Sequence, residues 1–146
     1  MPSYARRQIV AEGEVGVYHC IARCVRRAFL CGMDPVTGKC FDHRKGWIQD
    51  RLEELAGIFA MEVSGFAVLS NHIHIIVRQR PDLAMEWSDE EVARRWLRLY
   101  PKRAGADSLG AETESMRIKA LLGDPEKLAG IRQRLGNLSW FMRALC

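Results

Sequence analysis

The residues best suited to chemistry lie together in Asn71-His72-Ile73-His74-Ile75-Ile76-Val77. Two histidines one residue apart, in a β-branched run free of Gly and Pro, predict a strand. Strand side chains alternate between faces, so His72 and His74 point one way while Ile73, Ile75 and Val77 point the other. Two imidazoles side by side on a stiff element suit a divalent metal ion. Spacing alone does not decide the matter, because a lone His-x-His in a soluble protein is more often incidental than a metal site.

Several elements must position that pair. Val15 to Val25 alternates enough, through Val17, Tyr18, Ile21 and Val25, to predict a first strand. Residues 32–39, with two glycines and a proline, predict a loop. Trp47, Ile48, Leu52, Leu55 and Phe59 recur with helical spacing and predict one apolar stripe. A second strand is predicted over Met61 to Leu69, and Ser70-Asn71 turns the chain into the histidine strand. The last two strands are too closely joined for a crossover, so they form an antiparallel hairpin, while a helix links the first strand to the second. Beyond Pro81 the pattern is helical. Asp89 to Leu99 follows Ser88 as N-cap, with Glu91 at the capping-box position and Trp96 and Leu97 on the apolar side. Ala104 to Glu114 reads as a mobile connector, Ser115 to Leu122 and Pro125 to Leu135 as helices, and Asn137 as the cap of a last apolar segment, Leu138 to Leu145. The fold class expected is α+β, a ferredoxin-like antiparallel sheet with helices packed on it and a helical segment after residue 81. Residues 1–146 form one domain in this reading: a sheet core over 1–80, a helical insertion over 81–136 and a final helix from 137.

Composition sets the class. A chain of 146 residues, 48% hydrophobic and 27% charged, matches an ordinary globular domain. No apolar run approaches the roughly 18 residues of a membrane span and the polar start is no signal peptide, so a cytoplasmic protein with no membrane partner is expected. Five cysteines suit free thiols in a reducing compartment. Cys20 and Cys24 beside His19 could ligate zinc in principle, but no second C-x-x-C pair follows and both fall on a strand. The net charge of +4 is modest, yet its arginines cluster at predicted strand ends: Arg6 and Arg7 before the first strand, Arg23, Arg26 and Arg27 at its close, Arg78 after the histidines. Such clusters can grip a phosphate backbone, although any single one also fits a solvated rim.

The strand-helix-strand-strand order with histidines on the third strand resembles the single-tyrosine (HUH) transposases of the IS200/IS605 type, and most closely the REP-associated tyrosine transposases. Three passages carry the resemblance: Arg6-Arg7 ahead of Gly16-Val17-Tyr18-His19, the Ser70-Asn71-His72-Ile73-His74 motif, and Leu138-Ser139-Trp140-Phe141-Met142-Arg143-Ala144-Leu145. The last is similar to the start of the helix that carries the family's nucleophile. The middle of the chain is poorly matched.

The resemblance implies an enzyme, a DNA-strand transferase and nuclease that cleaves and rejoins single-stranded or hairpin DNA through a phosphotyrosine. It implies Mg²⁺ or Mn²⁺ held by His72 and His74, with His19 and Asn71 as site neighbours, DNA contacts through the arginines above, and a monomer or homodimer. The chain departs from the pattern in its tyrosines. Tyr4, Tyr18 and Tyr100 are its only three, and none lies in the final segment. By the family's pattern the nucleophile and a third metal ligand would fall beyond Cys146, so a truncated domain is expected. Two alternatives stand beside this: a catalytically inactive nucleic-acid-binding domain of ferredoxin-like fold, and an interaction domain whose histidines are merely packed.

Overall fold

A computed structural model describes residues 4–23, 32–40, 42–101 and 110–146, with only the backbone given for Arg7 and 110–112. The fold is α+β. Three strands, β1 (Gly16–Arg23), β2 (Met61–Val68) and β3 (His72–Gln79), form an antiparallel sheet in the order β1-β3-β2. The histidine strand is therefore central, and β1 and β2 flank it as in a split strand-helix-strand unit, consistent with a ferredoxin-like layout. Leu69 donates its N–H to the His72 carbonyl at 2.8 Å and closes the β2-β3 hairpin.

Between β1 and β2 runs α2 (His43–Ile58), after a short α1 (Arg6–Ile9) that precedes β1. The apolar stripe of α2 is realised by Leu52, Leu55 and Ile58, all buried, followed by Phe59. Trp47 is 64% exposed and sets its ring edge-on to His43, which corrects its placement on the stripe. The helix begins at His43, one turn before the expected start. At about 100° per residue, Trp47 lies at the flank of the arc that Leu52, Leu55 and Ile58 bury.

After β3 come α3 (Pro81–Glu86), α4 (Asp89–Leu99), α5 (Gly110–Leu122), α6 (Pro125–Leu135) and α7 (Leu138–Leu145). Helix α3 is an addition to the expected set. Pro81 opens it at a position where a missing N–H costs nothing, so a residue that reads as a breaker serves as a starter. Ser88 caps α4 by accepting the Glu91 N–H at 3.2 Å. The Glu91 carboxylate pairs with Arg95 at 2.8 Å. Helix α5 starts at Gly110, so the connector expected over 104–114 is helical in its last five residues; 102–109 lie outside the described residues. Helices α6 and α7 have the expected bounds, capped by Asp124 and by Asn137, whose side chain accepts from Ser139 and Trp140.

One core joins these parts. Ile73, Ile75 and Val77 of β3 meet the α2 leucines, with Ile131 and Leu135 of α6 and Leu138 and Phe141 of α7 completing it. Phe59 and Phe141 pack edge to face, ring centroids 5.7 Å apart. At its outer margin, Trp96 of α4 and Trp140 of α7 lie 6.4 Å apart with the Arg134 guanidinium of α6 over both rings, so three helices share one cation-π contact.

Candidate metal and nucleic-acid face

Register decides which side chains meet. Across β1 and β3 the pairs are Arg23 with His72, Ile21 with His74, His19 with Ile76 and Val17 with Arg78. Directly opposed residues share a face, so these eight side chains form one surface, opposite the core-facing Ile73, Ile75 and Val77. On the other flank a bulge at Ser64 shifts the β2 register between Val63 and Gly65 and brings Ala67 opposite His74. Val17 is 58% exposed, Ile21 51% and Ile76 38%, which marks a sheet face that no described helix covers.

Three imidazoles meet on it. His19 Nε2 lies 2.8 Å from His74 Nδ1, the two rings meeting edge to edge with centroids 5.0 Å apart and planes within 24° of each other. The His72 and His74 ring centroids are 4.8 Å apart. His72 Nδ1 lies 2.6 Å from the Asn71 side-chain oxygen. An amide oxygen only accepts, so His72 carries its proton on Nδ1 and presents the Nε2 lone pair. Partial desolvation, then the neighbouring His72 and His19, holds the His74 pKa below the usual imidazole value and favours the neutral ring that binds metal.

The site residues read from the sequence separate into groups. His72, His74, His19, Asn71 and Arg23 come together at one end of the open face. Arg78 lies on the same face but four residues along the strand, about 13 Å away at ~3.3 Å per residue, and sits 3.7 Å from Glu62. Arg6 is exposed in α1, and its charge is felt by Cys20 on the core side. The structure therefore does not gather Arg6 with the histidines. Arg26 and Arg27 lie outside the described residues, as do Cys24 and the strand's expected end at Val25; the side chain of Arg7 is likewise undescribed. Cys20 is buried, its thiol pKa raised by desolvation, and alternation turns it away from His19. That geometry parts Cys20 from the histidine weighed beside it as a zinc ligand, while its partner Cys24 lies outside the described residues.

Reading the sequence did not single out Val17, Ile21 and Ile76 as a surface, although alternation from His19 and His74 would have placed them there. Ala67 was missed because the bulge reverses the facing of β2 midway, and Gly65 inside the strand pattern was the local signal for it. Among the described residues no group of three or more His, Cys, Asp or Glu side chains is arranged to hold a metal ion. His72 and His74 can offer a divalent ion at most two imidazole nitrogens. Nitrogen donors favour Mn²⁺ over Mg²⁺, which prefers oxygen. Tyr18 faces the core side and its hydroxyl accepts from the Ala11 N–H at 3.3 Å, while Tyr100 stacks edge-on with Trp96. No helix among the described residues is long and apolar enough to cross a membrane.

No family model matches the chain, and neither the curated proteins nor the solved structures contain a match.

Proposed function

We propose that the open sheet face binds single-stranded or hairpin DNA in an IS200/IS605-type transposase-like protein. In this reading His72 and His74 hold Mn²⁺ or Mg²⁺ at a phosphate, and the chemistry served is cleavage and rejoining through a phosphotyrosine. The observation that carries it is the pairing of two imidazoles on a central strand, each with a hydrogen-bond partner at Nδ1. Bound there, the ion would polarise a phosphoryl oxygen and stabilise charge in the transition state. Arg23, across from His72, supplies a cation for the neighbouring phosphate, and Val17, Ile21 and Ile76 offer apolar surface to bases. Neither Tyr18 nor Tyr100 is placed on this face, so neither is assigned as nucleophile.

The experiment is Mn²⁺ titration followed by electron paramagnetic resonance, with and without a hairpin oligonucleotide, on the wild type, His72→Ala and His74→Ala. Both substitutions should abolish binding seen in the wild type; unchanged affinity in either would remove the assignment. On a denaturing gel of labelled hairpin with Mn²⁺, the 146-residue chain should give no covalent adduct, and an adduct lost in Tyr100→Phe would reverse that view of Tyr100. The absence of a third arranged ligand among the described residues favours a second reading, a catalytically inactive nucleic-acid-binding domain. Its signature is DNA affinity that neither responds to Mn²⁺ nor falls in the two alanine variants.

A further inference from the structure

His19 has no role in the metal assignment above, yet its Nε2 lies 2.8 Å from Nδ1 of the proposed ligand His74. We propose that His19 is a positioning residue: its Nε2 accepts the Nδ1–H of His74 and so turns the His74 Nε2 lone pair outward, as the Asn71 oxygen does for His72. The inference rests on the reading of His72 and His74 as ligands and adds what decides their tautomers.

A neutral imidazole has one N–H and one lone pair. If His19 donated across the 2.8 Å contact, His74 would hold its proton on Nε2 and offer no lone pair outward. If His74 donates, Nε2 is free, His19 carries its own proton on Nδ1, and both ligands present the same nitrogen. The near-coplanar, edge-to-edge contact holds the orientation of the His74 ring at the same time. A hydrogen-bond partner behind a ligating histidine sets its orientation and basicity, and losing such a partner typically weakens metal binding by 10- to 100-fold. The partner comes from β1, a different strand, so the antiparallel register that opposes His19 to Ile76 and Ile21 to His74 is what delivers it. His19 is exposed, so its substitution leaves the core intact.

Two measurements test this on the full chain. Long-range ¹H–¹⁵N correlation spectra of the metal-free protein should show His74 protonated on Nδ1; protonation on Nε2 overturns the proposal whether or not metal binds. With Mn²⁺ alone as probe, His19→Phe keeps the ring but has no acceptor and should bind about 10- to 100-fold more weakly. His19→Gln, with an amide oxygen as acceptor, should recover most of the loss. Wild-type affinity in His19→Phe, with His72→Ala still inactive, overturns the role of His19 and leaves the metal assignment standing. If the wild type binds no Mn²⁺, with or without the hairpin, the assignment fails and the positioning role fails with it.

Discussion

The Leu138 N–H donates to the Oε1 of Gln79 at 2.9 Å, tying the start of the last helix to the end of the histidine strand farthest from His72. Gln79 is 1% exposed, and its amide nitrogen also donates to the carbonyls of Ala11 and Glu14. One side chain thus satisfies backbone groups from the segment before β1 and from α7. Gln79→Leu keeps the volume but orphans all three. Each buried group left unpaired costs about 1–3 kcal/mol, and partial rehydration at the two carbonyls should bring the total to roughly 2–4 kcal/mol. Urea unfolding measures it as a lower midpoint at constant slope. A loss under about 0.5 kcal/mol, the scale of an ordinary surface substitution, would mean that the network does not hold α7 in place.

Phe141 and Trp47 give opposite expectations for two large aromatics. Phe141 is fully buried against Phe59, and Phe141→Ala should cost about 3–5 kcal/mol through lost burial and the cavity left behind. Trp47→Ala should stay within about 0.5 kcal/mol, because most of its surface is in solvent. Thermal melts of the two variants check which face of α2 is buried. A large loss in the tryptophan variant would restore Trp47 to the stripe.

The Asp82 carboxyl is held below its ordinary pKa, mainly by hydrogen bonds from the Arg80 guanidinium, whose Nη2 lies 2.9 Å from it. A carboxylate with a depressed folded-state pKa contributes stability above the unfolded-state value, and that contribution is lost as pH falls through the folded-state value. The contribution should therefore be present at neutral pH and fade in acid. Carbon-detected titration of Asp82 should show its pKa moving up towards the ordinary value in Arg80→Ala. An unmoved titration would assign the shift to the backbone N–H groups of α3.

DNA binding should report the layout of arginines through its salt dependence. Phosphate contacts release counterions, so each one lost reduces the slope of log affinity against log salt by about 1. Arg23→Ala should show that reduction for a hairpin oligonucleotide. Arg78→Ala should show less, since Glu62 already lies 3.7 Å from its guanidinium. Equal slopes for Arg23→Ala and wild type would move the DNA off the histidine end of the sheet.

Local pattern in the sequence determined the β-branched histidine strand, the hairpin that feeds it, the N-caps Ser88 and Asn137, and the facing of His72 and His74 on one side. Each depends on residues within a few positions of one another, where strand alternation and cap chemistry act directly. Pro81 and Gly110 misled because both are read as punctuation, whereas at the start of a helix neither disrupts a hydrogen bond that the helix would otherwise make. Only the tertiary structure decided that His19 meets His74, 55 residues on, and that Arg23 lies opposite His72, since both depend on the register between strands far apart in sequence. The β2 bulge follows the same logic: Gly65 marks a place where a strand can bulge, but only the pairing with β3 shows that it does, placing Ala67 beside His74 and turning Phe66 to the side of Ile75. A single-residue change of register reverses every facing beyond it, which is why the imidazole pair was legible in the chain and its surroundings were not.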